Sequence, residues 1–220
     1  MHHISYKKQI FPIHIFHAHI KENDLIKESL LSKIKKIYDE EDLEIPDGWH
    51  TSKLSTTFGN ETINEELFGP DSIIHQIYPL YIDKFFDKPS VFSLRDIWMN
   101  YYDDGEYQEK HIHIGPCKNM TQPHFSLIHY LKFDPEVHQS TTFIDPLDVV
   151  RLSSLEMESN YYRVRYRPKI GEGSILMFPS YLEHMVEKSK PTPNNPRITI
   201  AFNINVLEYG EEEGEESNEN

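Results

Sequence analysis

From Val91 onward the chain breaks into short apolar stretches, and this spacing restricts its fold more than any other feature. "VFSLRDIWMNYY", "QEKHIHI", "FSLIHYLKF", "TTFI", "YYRVRYRP", "GSILMFP" and "RITIAFNINV" are each bounded by Gly, Pro, Asp or Asn. Strands this short and this closely spaced point to an antiparallel sandwich or barrel. Upstream the period changes. In "NDLIKESLLSKIKKIYDEE" the apolar residues Ile26, Leu30, Ile34 and Ile37 recur at helical spacing, with Asn23 as the expected cap. "DSIIHQIYPLYIDKFF" carries a second helical stripe, Ile73, Ile77, Tyr81 and Phe85, with Pro79 inside it as a kink. "IFPIHIFHAHI" alternates as a strand, and "IPDGWHTSKLSTTFGN" is turn-rich with room for a short strand. The expected fold is mainly β with N-terminal helices. It forms one domain over 1–208, with helical support at 20–90, a β core at 91–208 and an acidic disordered tail at 209–220.

Composition narrows the function. A hydrophobic fraction of 38% supports a packed interior. The formal net charge is -14, and six of the glutamates lie in the tail, so a phosphate backbone is an unfavourable partner and nucleic acid is not expected. The lone Cys117 permits no internal disulfide, which suits a reducing cytoplasm, that of the host if the chain is phage-encoded. No apolar run approaches the ~20 residues needed to span a bilayer, and the N-terminus reads as mature protein.

The histidines carry the chemistry. In an extended "KHIHI" the side chains of His111 and His113 project to one face and Ile112 packs on the other. By themselves they are half a metal site or a polar strand face. His184 follows 71 residues later, near the start of another strand, and Arg197 stands 13 residues beyond it. Arg197, Thr199 and Ala201 share a strand face, an odd place for a guanidinium unless an anion lies inside; the plainer reading is a rim salt bridge.

This order resembles the Fe(II)/2-oxoglutarate-dependent oxygenase superfamily, its prolyl-4-hydroxylase-like members, and most closely a 2OG-Fe(II) oxygenase group of bacteria and phages. The likeness is carried by "IFPIHIF", "DGWHTS", "WMNYYDDGEYQEKHIH", "FSLIHYLKF", "TTFIDP", "GEGSILMFPSYLEHMV" and "RITIAFNIN". It implies a double-stranded β-helix (jelly-roll) core, Fe(II), 2-oxoglutarate as co-substrate and O2. It implies His111, His113 and His184 as metal ligands, Arg197 on the distal carboxylate of 2-oxoglutarate, and Tyr130, Thr199 and Tyr102 beside it. The departure is His113, where most members have Asp or Glu. Glu109, on the same face of a regular strand, and Asp145 are the alternative carboxylates. The implied activity is hydroxylation of a protein side chain such as proline, or of a small molecule. A homodimer through the N-terminal helices is a further expectation. Two readings compete with it: a cupin-like metal protein or three-His dioxygenase without 2-oxoglutarate, and a non-catalytic jelly-roll binding module. Among the other histidines, His129 is expected to point away from the site; His124, nearer the loop after the pair, is read as an ordinary residue, with a place behind the site as the lesser alternative.

Overall fold

The computed structural model describes residues 12–43, 45–115, 121–155, 164–190 and 194–209. Cys117, the acidic tail and the Tyr-rich start of "YYRVRYRP" lie outside the described residues.

Strand β1 (Phe16–His19) leads into helix α1 (Asn23–Glu40). Next come β2 (Ser55–Thr56), α2 (Glu61–Phe68) and α3 (Ile74–Ile82) with a short 3-10 turn after it. The β region follows: β3 (Ser90–Tyr102), β4 (Gln108–His111), β5 (Phe125–Lys132), β6 (Thr142–Ile144), α4 (Asp148–Leu155), β7 (Arg165–Tyr166), β8 (Ser174–Pro179), β9 (His184–Val186) and β10 (Arg197–Tyr209). They build two antiparallel sheets. One has six strands in the order β1-β8-β5-β10-β3-β2, the other four in the order β4-β9-β6-β7.

Period-2 alternation gives the larger sheet two different faces. Along β5, Leu127 and Leu131 join the helices' core, whereas Ile128 and Tyr130 join Phe143, Leu176 and Phe178 in a second core on the opposite face of the sheet. The helical face takes up the predicted stripe of α1: Ile26, Leu30, Ile34 and Ile37 are at most 5% exposed. Burying each stabilises the domain by ~1.5–3 kcal/mol, and a charge at Ile34 would break the contact.

Several local expectations change. Asn23 is no cap. It is the first residue of α1, buried, and its amide bonds the Leu131 carbonyl and the His129 ring. Residues 12–15 lie outside β1, which is confined to Phe16–His19. Helix α3 continues through Pro79. Helices α2 and α4 have no counterpart in the sequence reading; α2 is signalled by Asn60, whose Oδ1 accepts from Ile63 N at its start.

Candidate metal centre and anion pocket

The smaller sheet brings the histidines together. His111 ends β4, His184 begins β9, and the two are cross-strand partners. His113 lies two residues past the end of β4, where its backbone N–H donates to the Ser180 carbonyl. The three rings offer one nitrogen each within 4.8 Å of one another. Ring centroids are 4.2 Å apart for His111–His184, 5.0 Å for His113–His184 and 5.3 Å for His111–His113.

Each ring is held by its Nδ1. His111 Nδ1 pairs with the Glu109 carbonyl at 2.8 Å and His184 Nδ1 with the Leu182 carbonyl at 2.9 Å. His113 Nδ1 pairs with Asn203 Oδ1 at 2.9 Å. Because all three partners are acceptors, the proton sits on Nδ1 and each Nε2 presents a lone pair. Burial keeps the rings neutral. Desolvation, then the neighbouring His111, pushes His113 down to about 3. The same causes, with His113 added, put His184 well below its ordinary value, and desolvation also lowers His111. Neutral imidazole is the form that binds a metal.

Neither alternative carboxylate joins this group. A β-bulge interrupts β4: Gln108 pairs with Val186 and His111 with His184, so two residues face one. The alternation that would put Glu109 on the histidine face is lost. Its carboxylate instead accepts from His50 N at 3.0 Å, Thr51 N at 2.7 Å and Thr51 Oγ1 at 2.6 Å. Those bonds pin the loop that stacks Trp49 on His111, centroids 6.1 Å apart. Asp145 Oδ1 accepts from Leu147 N and is outside the cluster. Ile112, expected to pack, is 43% exposed and lines an outer cleft with Trp49, Phe58 and Trp98.

Behind the histidines lies a second, narrower cavity. It is bordered by His113 and His184, and also by Tyr102, Thr141, Arg197 and Thr199. Arg197 starts β10 opposite Tyr102, and Thr199 pairs with Tyr130 and Asn100. Arg197 is 2% exposed, and its Nε and Nη1 have no hydrogen-bond partner among the described residues. Its guanidinium lies against the rings of Tyr102 (4.4 Å) and Tyr130 (5.2 Å). A rim salt bridge is therefore excluded among the described residues. Tyr102 donates to Gln108 Oε1 at 2.8 Å, and desolvation, opposed by Arg197, raises it to about 12. The Tyr130 hydroxyl is spent on Thr141: it donates to Oγ1 at 2.7 Å and accepts from the backbone N at 3.1 Å. Sequence reading missed Thr141, Gln108 and Asn203, all ordinary polar residues in strands or at their edges. His124 is exposed and accepts from Val206 N, so it does not stand behind the site. A separate surface depression, beside α2, reaches Trp98 but none of His111, His113 and His184.

A family profile described as "Putative 2OG-Fe(II) oxygenase" matches residues 96–203, a span that contains all three histidines and Arg197. Over that span the chain is similar to the 2OG-Fe(II) oxygenases. Solved oxygenases share its fold at low identity. A Pseudomonas putida prolyl-4-hydroxylase is 13% identical with a TM-score of 0.52, covering 87% of this chain and 92% of that one. A Trichoplax adhaerens prolyl hydroxylase, solved with a peptide fragment of the hypoxia-inducible-factor oxygen degradation domain, gives 11% and 0.57, covering 86% and 82%. The α-ketoglutarate-dependent epimerase SnoN from nogalamycin biosynthesis gives 11% and 0.61, covering 88% and 78%. No curated protein matches the chain. No helix among the described residues is long and apolar enough to cross a membrane.

Proposed function

We propose that this protein is an Fe(II)- and 2-oxoglutarate-dependent dioxygenase that hydroxylates its substrate from a jelly-roll core. The observation that carries the reading is Arg197. An arginine buried with two unpartnered nitrogens costs several kcal/mol. A bound carboxylate would remove that cost through a bidentate, charge-assisted pair. The same cavity borders His113 and His184, so a dicarboxylate held at one end by Arg197 would reach the metal at the other. The three free Nε2 atoms suit Fe(II), for which imidazole is a good ligand.

In this reading His111, His113 and His184 hold the iron. When bound, the iron with 2-oxoglutarate and O2 supplies the oxidising power for C–H hydroxylation. Arg197 binds the distal carboxylate, Thr199 adds its hydroxyl, and Tyr102 with Tyr130 walls the guanidinium from water. Tyr130 acts through ring contact, its hydroxyl being committed to Thr141. The triad contributes no charge, so a dianionic co-substrate would neutralise a divalent metal. The outer cleft of Trp49, Phe58 and Trp98 is the substrate's approach, opening on the His111 and His113 side. A protein side chain such as proline and a small molecule both suit an aromatic wall of this kind. A cupin-like three-His centre without 2-oxoglutarate has no use for Arg197.

The test is anaerobic titration of Fe(II)-loaded protein with 2-oxoglutarate, following the visible metal-to-ligand charge-transfer absorption. The reading predicts a band that Arg197→Ala weakens at equal 2-oxoglutarate. Protein that binds neither iron nor 2-oxoglutarate overturns it.

A further inference from the structure

His111 and His184 are oriented by carbonyls two residues upstream on their own chain segments. His113, two residues past the end of β4, is not served this way. Its ring is oriented from 90 residues away by Asn203 on β10. Asn203 is 4% exposed, and its Oδ1 also accepts from Ser126 Oγ at 2.8 Å. Ser126 Oγ lies 2.8 Å from Ser180 Oγ, and the Ser180 carbonyl takes the His113 backbone N–H. Ring and backbone of His113 are thus tied to one polar network.

The amide could point either way, and its other end decides. Asn203 Nδ2 donates to Asp96 Oδ2 at 3.3 Å. Turning the amide over would aim Oδ1 at a carboxylate and present Nδ2 to two donors. The backbone is shaped for this contact. Phe202 pairs with Ile97 and Ile204 with Leu94, so Arg95 and Asp96 together face Asn203. That is a β-bulge on β3, which re-aims a side chain beside a functional site.

We propose that Asn203, with its amide direction fixed by Asp96, is the positioning residue that makes His113 a metal ligand. The usual 2-His-1-carboxylate set puts its carboxylate on the metal. Here the series runs metal, His113, Asn203, Asp96, and the carboxylate stands at the outer end. The inference rests on the metal half of the proposed function and not on 2-oxoglutarate. Asn203 holds the Nδ1 proton and so leaves Nε2 free. A non-bonding residue at 203 frees the ring to rotate or to move its proton to Nε2, where it blocks coordination.

The experiment measures Fe(II) affinity by anaerobic chelator competition, without 2-oxoglutarate, in Asn203→Leu and in the exchange variant Asp96→Asn/Asn203→Asp. The exchange keeps an acceptor on His113 and a donor–acceptor pair between 96 and 203. Asn203→Leu is expected to bind Fe(II) about 10–100-fold more weakly, and the exchange variant to recover most of that loss. Equal affinity in parent and Asn203→Leu overturns the proposal, as does an exchange variant as weak as Asn203→Leu. A second measurement uses the unsubstituted apo chain and needs no variant to fold. Two-bond ¹⁵N–¹H correlations must show the His113 proton on Nδ1, and a proton on Nε2 overturns the proposal. Failure of the 2-oxoglutarate titration with these results intact would reject the co-substrate and keep the metal ligand.

Discussion

Two histidines on opposite faces of the structure, one buried and one half-buried, show what separates support from function. His129 faces the helices, is fully buried, and is pushed down to about 3 by desolvation and then by His19. His113 faces the cleft and is pushed down to about 3 as well. Their ring nitrogens differ. His129 uses both, Nδ1 with Tyr78 Oη at 2.9 Å and Nε2 with Asn23 Oδ1 at 2.9 Å, and so ties α3 and α1 to β5. His113 uses one and leaves the other facing two more imidazoles. Depressed basicity is therefore no signature of a site. The open valence is, and Arg197 repeats the lesson with its two unpartnered nitrogens.

The sharpest break of this comparison is His184→Ala against His129→Leu. Removing His184 should abolish tight Fe(II) binding, read by chelator competition, while the apo protein loses less stability than in His129→Leu, because one backbone carbonyl rather than two side-chain groups loses its partner. Replacing His129 should leave metal affinity intact and destabilise the domain by about 2–5 kcal/mol in urea unfolding, because Tyr78 Oη and Asn23 Oδ1 are left buried and unpaired. Next comes Arg197→Met. It should weaken 2-oxoglutarate binding at least about 30-fold, the equivalent of ~2 kcal/mol, in the anaerobic titration. The same variant should raise apo stability, by ~1–4 kcal/mol, because it removes a buried charge that has no carboxylate partner among the described residues. A variant that lost both stability and affinity would make Arg197 structural.

Acid supplies a smaller effect. His129 is held neutral in the fold, with its folded value below the unfolded one. Its contribution is complete above about pH 6.5 and is lost as pH falls toward about 3, at up to ~1.4 kcal/mol per pH unit. Urea unfolding of the apo protein across that window should show a shallower slope in His129→Leu, although its absolute stability is lower. The smallest effect belongs to Glu109→Gln. Fe(II) affinity should be unchanged, because this carboxylate holds the Trp49 loop and not the metal. Tryptophan emission should shift as that loop loosens. Loss of iron binding in Glu109→Gln would return the carboxylate to the metal set.

Much of this was legible beforehand where period and chemistry agree. The stripe of α1 and the strands from Val91 follow from local spacing, and the His111–His113–His184–Arg197 set from the family resemblance that those residues carry. The errors fall where local rules are overridden. Asn23 has the chemistry of a cap, but a buried histidine takes its side chain. Glu109 has the parity of a ligand, but a bulge changes that parity. Asn203 and Thr141 carried no signal, since an amide or a hydroxyl acquires a role only from what it meets across the sheets.

The sequence by itself determined which residues could bind a metal and an anion, and that helices would cover a β core. Side-chain type and periodicity are properties of neighbours in the chain. Only the tertiary structure decided that His113 has a free Nε2, that Glu109 turns away and that Arg197 keeps two nitrogens without a partner among the described residues. Those outcomes depend on pairing register and bulges, which bring together residues as distant in the chain as His113 and Asn203, 90 positions apart, and fix which polar valences are satisfied within the fold.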